Sequence, residues 1–410
     1  MKKLLKYWLS KKIPDHYLEI NLTGNGVLKD FKAFMLFYFI HPIKRRIAKY
    51  YCIFLKKFFG LEIIAITGSS GKSTTKEMIV SILKLSGNTV YSFANIDPFY
   101  NIPSTILKCN FKTKYLVLEF GVEYPGEMGF YLWMVKPDIG IITSINPTHT
   151  EFFKNTEGVF EEKIQLANFL LKKGKIILNK ENEYLRKYGN KNKNKAIFYG
   201  KNSFVEAVDI KIRNLKTSYL LKHKNKSIQI DLEVLGNVNV KNSLAAIAVA
   251  LELGIDPQKI KKGLKEYKPL EHRLSLLKIK NTFIIDDTYN NNPAAAKEAI
   301  KLFSELGDKK NMAIVFGDML ELGDLSKKYH QEIGEILVKL PLKRIVCVGE
   351  ESKVIYEIVK RKFGSENSFW VLKENEVDKY ISDILGKEFV ILFKASRSIG
   401  LDKPVARLSK

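Results

Sequence analysis

One segment constrains the fold of this chain most. In it, an apolar strand pattern is followed directly by a glycine-flanked turn and a Lys-Ser-Thr sequence. The stretch reads Ile63-Ile64-Ala65-Ile66-Thr67-Gly68-Ser69-Ser70-Gly71-Lys72-Ser73-Thr74-Thr75-Lys76. Strand, tight turn and helix in that order form the setting of a phosphate-binding loop. Gly68 and Gly71 let the backbone turn tightly and present N–H groups to phosphate oxygens. A helix that begins near Lys72 points its positive end at the same anion.

The side chains of this loop suit a nucleoside triphosphate. Lys72 can reach the β- and γ-phosphates, and the hydroxyl of Ser73 can ligate Mg²⁺. The more common form of the motif has a glycine at the position of Ile66. The alternative is a glycine-rich turn that precedes Lys-Ser by chance, and the flanking strand and helix disfavour it. We therefore expect nucleotide contacts from the whole loop: Gly68, Ser69, Ser70, Gly71, Lys72, Ser73 and Thr74.

Composition places the chain among multidomain globular proteins with an unusual positive charge. Its 410 residues suggest two or three domains. The formal charge of +24 indicates lysine-rich solvated surfaces, an anionic substrate or an anionic membrane surface. Nucleic acid is not expected as a partner, because no RNA- or DNA-binding motif accompanies the charge. Cys52, Cys109 and Cys347 form no CxxC pair, which argues against a zinc site and fits the reducing cytoplasm.

Residues 1–60 differ from the rest of the chain. They contain 13 Lys or Arg against 3 Asp or Glu, a net charge of +10. The aromatic run 31–40 is too short to span a bilayer, which takes about 20 residues, and no signal-peptide cleavage pattern follows it. Two interpretations of this basic aromatic helical segment stay open. It docks peripherally on the inner face of an anionic membrane, or it packs as a helical lid on the nucleotide domain.

From residue 61 onward, strand and helix patterns alternate, which predicts an α/β fold. We expect a central phosphate-loop ATPase domain with a mostly parallel sheet at 61–268, and a C-terminal Rossmann-like α/β domain at 269–410. The residues Lys268-Pro269-Leu270-Glu271 form the linker between them. In the first domain, strands are predicted at 63–67, 115–119, 139–144 and 175–178, and helices at 72–85, 159–171 and 242–253. In the second, strands are predicted at 282–286, 311–316, 344–348 and 389–393.

Three polar residues downstream of the loop are candidates for metal binding. Glu119 ends a buried strand, where its carboxylate could hold Mg²⁺ beside the triphosphate or simply face solvent. His149 follows the next predicted strand, and a structural role and a ligand role are equally compatible with that position. Lys163 lies on a predicted helix next to Glu161 and Glu162 and, by its own pattern, is a surface lysine.

Taken together, these motifs resemble the Mur ligases, the ATP-dependent amide-forming enzymes of cell-wall peptide synthesis. The resemblance covers about residues 61–405, and Gly317-Asp318-Met319-Leu320-Glu321-Leu322-Gly323 followed by His330 is closest to members that add D-alanyl-D-alanine to a UDP-MurNAc-tripeptide. The other segments that carry it are the loop 67–76, Glu119 in 118–121, His149 in 145–153, Lys163, 236–242, Arg273, 286–293 and 394–397.

The resemblance implies roles for residues whose own patterns leave them open. Glu119 matches a Mg²⁺-binding glutamate, His149 a metal-site histidine, and Lys163 a lysine that is carbamylated to make a metal-binding carbamate. With Ser73, these residues would hold two Mg²⁺ ions, and Lys72, His149 and Lys163 would be catalytic. Further ATP contacts are expected from Asn239, Asn242, Arg273, Asp287 and Asn290.

The resemblance also implies a reaction and its partners. A carboxylate is phosphorylated by ATP to an acyl phosphate, and an amine then attacks it. We expect a nucleotide-activated or lipid-linked muramyl-peptide-like acceptor, a dipeptide or amino-acid amine, and a monomeric enzyme in the cytoplasm. Three departures from the family pattern affect the contacts: Val238 replaces an adenine-side histidine, 95–103 replaces a substrate segment, and residues 1–60 are too short for the usual UDP-binding domain.

Two other functions stay open on sequence grounds. A ligase of the same fold could act on another acceptor, in the manner of folylpolyglutamate synthetase or cyanophycin synthetase. A P-loop ATPase at the membrane surface that forms no amide would also use Lys72, but it would have no need of a carbamate on Lys163.

Overall fold

The computed structural model describes residues 14–18, 34–93, 96–192, 195–213, 215–224, 226–307 and 311–409. Asn95 of the predicted substrate segment and most of the first 33 residues lie outside this part of the chain. The described residues form two six-stranded sheets and one three-stranded sheet. Among them, no helix has both the length and the apolar character needed to cross a membrane.

The first six-stranded sheet is parallel and has the order β2-β3-β1-β4-β5-β6. Its strands are Glu62–Thr67 (β1), Thr89–Tyr91 (β2), Tyr115–Glu119 (β3), Ile139–Ile142 (β4), Lys175–Asn179 (β5) and Ala196–Tyr199 (β6). The helices in this part of the chain are His41–Phe59 (α1), Lys72–Leu83 (α2), Pro98–Ile106 (α3), Glu127–Met134 (α4), Thr150–Phe153 (α5), Thr156–Lys163 (α6), Gln165–Lys173 (α7) and Glu183–Lys191 (α8). Short helical turns at Asp15–Leu18 and Leu36–Ile40 precede α1.

Strand β1 lies between β3 and β4 and is covered on both faces. Ile63 and Ala65 pack into the core shared with α1, α3 and α4, whereas Ile64 and Ile66 pack into the core on the opposite face. This explains why β1 is a continuous apolar run rather than an alternating one. The neighbours of β1 lie on both sides of it, so the carboxyl ends of β1, β3 and β4 meet at one crevice.

An antiparallel sheet and two helices complete this half of the protein. The strands are Glu206–Arg213 (β7), Lys216–His223 (β8) and Lys226–Leu232 (β9). Helices Asn237–Glu252 (α9) and Pro257–Glu266 (α10) then pack against α2. The start of α9 is set by Gly236, whose φ of 88° is readily adopted only by glycine.

The second six-stranded sheet is mixed, with the order β10-β11-β15-β12-β13-β14. Only β10 runs antiparallel to its neighbour among the strand pairs of this sheet that the structure describes. The strands are Ser275–Ile279 (β10), Thr282–Asp287 (β11), Asn311–Gly317 (β12), Leu342–Val348 (β13), Ser368–Val371 (β14) and Phe389–Lys394 (β15). The helices are Pro293–Leu306 (α11), Ser326–Leu337 (α12), Lys353–Phe363 (α13), Asp378–Ile381 (α14) and Asp402–Leu408 (α15).

The predicted α/β fold with a parallel central sheet is confirmed, and several element boundaries need correction. The predicted helix at 159–171 is two helices, α6 and α7, which meet at Ile164. The strand predicted at 139–144 ends at Ile142, and the helix predicted at 242–253 already begins at Asn237. Strands β2, β6 and β14 were not predicted, because at three or four residues they are too short for a periodic pattern. Strand β10, which begins soon after the predicted linker, was not predicted either.

Candidate active site

The phosphate loop is held in shape by the end of the neighbouring strand. Ser69 donates its N–H to the carbonyl of Ser144 at 2.8 Å, and Ser70 donates its N–H to the hydroxyl of Ser144 at 3.1 Å. The hydroxyl of Thr143 donates to the carbonyl of Ser70 at 2.5 Å. Gly68 has a φ of 145°, and a Cβ there would lie 2.0 Å from the hydroxyl oxygen of Thr143. Only glycine therefore fits where the loop passes β4.

Lys72 bends back over this loop from the first turn of α2. Its Nζ donates to the carbonyl of Gly68 at 3.0 Å. Burial lowers the pKa of Lys72, and the negative charge of Glu119 opposes that shift. A flexible lysine that lines a cavity and donates to a loop carbonyl can turn to a phosphate oxygen at little cost.

Three side chains from distant segments converge beside Lys72. The hydroxyl of Ser73 donates to the carboxylate of Glu119 at 3.0 Å, and the guanidinium of Arg273 donates to the same hydroxyl at 3.3 Å. Ser73 and Glu119 provide hydroxyl and carboxylate oxygens, the hard ligands that Mg²⁺ prefers. Among the described residues, no group of three or more His, Cys, Asp or Glu side chains could hold a metal by itself. The pair therefore fits Mg²⁺ if phosphate oxygens complete the coordination.

Lys163 is the last residue of α6, and its environment is unusual for a lysine. It is 1% exposed, and its Nζ donates to the carbonyl of Val122 at 3.3 Å. Burial, reinforced by the charge of nearby Lys72, lowers the pKa of Lys163 to about 7. An amine with such a pKa is uncharged in a substantial fraction of molecules near neutral pH and can then react with an electrophile such as CO₂. The interpretation of Lys163 as a surface lysine is therefore wrong.

His149 connects the two halves of the protein. It adopts a left-handed conformation (φ 52°) before α5, and its Nδ1 lies 2.5 Å from a carboxylate oxygen of Glu321. The hydroxyl of Thr150 donates to the carbonyl of Leu322 at 2.9 Å. The hydrogen bond from His149 lowers the pKa of Glu321. Glu321 thus orients the imidazole ring and leaves its second nitrogen for another ligand.

The second domain provides a further set of charged side chains at the end of β11. Lys394 is 1% exposed, and its Nζ lies 2.8 Å from a carboxylate oxygen of Asp287. Burial lowers the pKa of Lys394, and Asp287 opposes that shift. The guanidinium of Arg273 lies 3.9 Å from the ring centroid of Tyr289. This stacking holds Arg273 in position to reach Ser73.

Two asparagines join the ends of α9 and α11 to the phosphate loop. The amide of Asn292 donates to the hydroxyl of Ser70 at 3.0 Å. A Cβ at Gly71 would lie 2.4 Å from the side-chain oxygen of Asn242, so this asparagine lies directly against the loop. Asn239 is buried on the first turn of α9 and donates to the carbonyl of Leu235 at 2.8 Å.

These groups surround one cavity of about 740 Å³ between the two six-stranded sheets. Most of the predicted site residues line it: Ser69, Ser70, Gly71, Lys72, Ser73, Thr74, Glu119, His149, Asn239, Asn242, Arg273, Asp287 and Asn290. Gly68 and Lys163 lie behind its wall rather than on it. Val238, which stands where the family pattern has a histidine, also lines the cavity. The structure brings the predicted set together, and the roles of its members stay predictions.

Sequence reasoning missed several residues of this cavity. Lys394 and Asn292 line the cavity and belong to recognised motifs, but their local patterns assign them no role. The same is true of Glu321, which contacts His149. A cluster of Tyr17, Asp97 and Glu127 also lines the wall: the hydroxyl of Tyr17 donates to Glu127 at 2.8 Å, and burial raises the pKa of Glu127 to about 7. No local pattern marks Tyr17, because its partners are about 80 to 110 positions away.

Comparison with known proteins gives a consistent result. The Mur ligase middle domain matches residues 66–250, and the Mur ligase, glutamate ligase domain matches residues 272–397. The UDP-N-acetylmuramoyl-tripeptide--D-alanyl-D-alanine ligase of Buchnera aphidicola subsp. Baizongia pistaciae is 36% identical over 353 residues, which cover 85% of this chain and 75% of that protein.

Solved structures show the same fold. A crystal structure of MurF from Acinetobacter baumannii has a TM-score of 0.81 at 27% identity and covers 90% of this chain and 80% of its own. The MurF ligase of Thermotoga maritima in complex with ADP has a TM-score of 0.79 at 23% identity, with coverages of 90% and 83%. Two domain matches in the same order, a relative well above 30% identity and a shared fold lead to one conclusion: the chain belongs to the Mur ligase family of ATP-dependent peptide ligases.

Proposed function

We propose that this enzyme joins D-alanyl-D-alanine, or a similar amine, to the terminal carboxylate of a muramyl-peptide acceptor. The observation that carries the proposal is the docking of the loop 317–323 on the phosphate-loop domain, where Glu321 meets His149. That loop is the segment most similar to D-alanyl-D-alanine-adding ligases. The 36% identical relative with that activity in its name supports the same choice of substrates.

Different residues of the cavity would have different roles in this mechanism. Asn239 and Asn242, which line the cavity, would contact the nucleoside, and the phosphate loop would hold the triphosphate. Lys72 would neutralise charge while an oxygen of the acceptor carboxylate attacks the γ-phosphorus, which gives an acyl phosphate and ADP. The amine nitrogen then attacks the acyl carbon and loses a proton, and inorganic phosphate leaves.

The second domain would exclude water from the acyl phosphate. Arg273, Asp287 and Asn290 line the cavity opposite the phosphate loop. Because Arg273 already reaches Ser73, closure would bring a positive charge against the triphosphate. We propose that the enzyme acts as a monomer, as the family resemblance implies. Its three cysteines are unpaired, which supports a location in the reducing cytoplasm.

We further propose that two Mg²⁺ ions bind, one at Ser73 and Glu119 and one near His149 and a carbamate on Lys163. The ions would supply positive charge to the transferred phosphoryl group. Lys163 supports this proposal because its amine is buried, lies close to the charge of Lys72 and has its pKa lowered to about 7. Glu321 would set the direction of the His149 ring.

The test is product formation by the purified chain. ATP, Mg²⁺ and a UDP-MurNAc-tripeptide are incubated with a panel of amines, and phosphate release and peptide mass are measured. We expect an amide product with D-alanyl-D-alanine and little with glutamate. Lys72→Ala should reduce turnover by roughly 10²–10³-fold or more, whereas Lys84→Ala, an exposed lysine at the end of the same helix, should not.

Other outcomes would favour the two alternatives. Amide formation only with glutamate on a different acceptor would indicate a folylpolyglutamate-like or cyanophycin-like ligase. Phosphate release that needs neither acceptor nor amine, and no amide product with any of them, would indicate an ATPase that does not form amides. Either result contradicts the proposed substrates while leaving the family assignment intact.

A further inference from the structure

Helix α1 has two faces of different character. Its inner face packs against the protein through the buried residues Pro42, Arg45, Ala48, Cys52 and Leu55. The guanidinium of Arg45 lies 4.1 Å from the ring centroid of Phe99 on α3. The outer face consists of apolar side chains three or four residues apart, which therefore share one side of the helix: Ile43, Ile47, Tyr50, Phe54 and Phe58. The lid interpretation thus describes only the inner face.

The outer face of α1 is unusually exposed for such large apolar groups. Tyr50 and Phe58 are 66% and 62% exposed. The apolar surface continues beyond the helix, because Phe54 lies 5.6 Å from Phe59 and Phe59 lies 4.8 Å from Phe111, measured between ring centroids. Phe111 follows α3, so two separate elements build one aromatic surface. A continuous exposed apolar surface usually marks an interaction site.

The charges on α1 are all positive, although Arg45 faces inward and the Nζ of Lys56 lies 2.6 Å from a carboxylate oxygen of Asp138. The helix contains six Lys or Arg residues and no Asp or Glu. Exposed lysines flank the aromatic groups: Lys57 lies 5.3 Å from the ring centroid of Phe58, and Lys112 directly follows Phe111. Aromatic rings between cations suit the headgroup region of a bilayer, where the rings enter the interface and the cations meet anionic lipids. This composition disfavours a second copy of the same basic surface as the occupant.

We propose that the outer face of α1, together with Phe59 and Phe111, docks the enzyme on an anionic lipid bilayer. The helix lies in the interface, since it lacks the length and apolar character needed to span a membrane. Helix α3 packs against the inner side of α1, and its first residues border the cavity at Asp97 and Pro98. The proposal does not depend on which acceptor the ligase uses.

The experiment measures co-sedimentation of the full chain with vesicles of two compositions. One is phosphatidylcholine alone, and the other contains phosphatidylcholine and phosphatidylglycerol in equal parts. We expect binding to the second that weakens at high salt, and weak binding to the first. Tyr50→Ser combined with Phe58→Ser should weaken binding at least about tenfold, because both rings leave the interface.

Matched controls separate lipid docking from general effects of substitution. Ile210→Ser with Leu372→Ser changes two exposed apolar side chains far from α1 in the sequence and should bind vesicles normally. Lys57→Gln with Lys112→Gln should weaken binding roughly 20- to 30-fold, at about 1 kcal/mol per cation near the surface. Lys259→Gln with Lys265→Gln removes the same charge from exposed positions on α10 and should have little effect.

Three outcomes would overturn the proposal. Full-length protein that stays in solution with acidic vesicles in excess at low salt would exclude a lipid partner. A concentration-dependent dimer that Tyr50→Ser with Phe58→Ser abolishes would assign the surface to a second copy of the chain. A large loss of thermal stability in that variant, without vesicle binding by the wild type, would show that the chain's own N-terminal residues cover the surface.

Discussion

Single residues in this protein acquire their chemistry from burial rather than from their type. Lys163 has the sequence context of a surface lysine, yet it is 1% exposed and its pKa is lowered to about 7. The desolvation that lowers this pKa favours the neutral amine, which is the form that reacts with CO₂. Lys394 is buried to the same extent, but Asp287 lies 2.8 Å away and favours its charged form. Two lysines that are equally buried thus suit different tasks.

The pKa of Lys163 predicts how carbamate formation depends on pH. Below pH 7 the amine is mostly protonated and cannot react, and above pH 7 it is mostly neutral. At a fixed concentration of dissolved ¹³CO₂, the carbamate signal in ¹³C NMR should therefore rise from about pH 6 to about pH 8. Lys163→Ala should lose that signal and most activity, and short carboxylates added to the variant should restore part of the activity.

The same experiment can contradict this assignment. A carbamate signal of equal size in wild type and Lys163→Ala would place the modification on another amine. Full activity of the variant without added carboxylates would show that Lys163 has no part in catalysis.

At the scale of elements, one loop of the second domain places a side chain against the first domain. His330 on α12 accepts a hydrogen bond from the backbone N–H of Met319 at 3.1 Å, and the hydroxyl of Ser396 accepts one from Leu320 at 3.0 Å. These contacts fix the loop 317–323 so that Glu321 reaches His149. The motif that identifies the type of ligase therefore has a physical role: it presents a carboxylate to the histidine of the other domain.

We predict that Glu321→Ala affects activity much more than stability. The carboxylate is 46% exposed, and exposed ion pairs contribute about 0–1 kcal/mol to folding. Loss of a group that orients a metal-site histidine typically costs about 10–100-fold in metal affinity or activity. The Mg²⁺ concentration at half-maximal rate should therefore rise by about this factor, with little change in melting temperature.

Two further variants test whether Glu321 acts through His149. Glu321→Gln keeps a hydrogen-bond acceptor and should recover part of the Mg²⁺ response. Glu350→Ala removes another exposed carboxylate of the same domain and should behave like the wild type. An unchanged Mg²⁺ dependence in Glu321→Ala would mean that the contact with His149 is only structural.

At the scale of the whole molecule, several polar contacts around the cavity join the two domains. Arg273 reaches Ser73, Asn292 reaches Ser70, and Glu321 reaches His149. Hydrogen bonds of this kind contribute about 0.5–1.5 kcal/mol each. The closed arrangement of the domains is therefore only modestly stabilised by these contacts, and the domains can separate when the contacts are lost. A bound nucleotide would lie against several of these residues and add contacts that only the closed form provides.

Small-angle X-ray scattering should detect this closure. A compact chain of this length has a radius of gyration of about 22 Å, and we expect the protein to approach that value with a non-hydrolysable ATP analogue and to exceed it by a few ångströms without one. Arg273→Ala with Asn292→Ala should remain expanded at nucleotide concentrations that close the wild type. Identical scattering with and without nucleotide would indicate a permanently closed molecule.

The sequence by itself determined the features that depend on short stretches of chain. The strand, glycine turn and helix at 62–83, the alternation of strands and helices, and the family were correctly predicted, because glycine conformations and side-chain periodicity are local properties. The predicted helix at 159–171 begins three residues late and ends two residues early, and it misses the interruption at Ile164, which no proline or glycine marks.

The tertiary structure alone decided the features that depend on distant partners. His149 and Glu321 are 172 positions apart, and Lys163 and Val122 are 41 apart, so no local pattern reports either contact. Burial, which sets the pKa of Lys163, is a property of everything packed around the side chain. For the same reason, the sequence could not decide whether α1 packs on the protein as a lid or docks on a membrane. The packing of Arg45 on Phe99 identifies the inner face of α1 and therefore the face that can meet a partner.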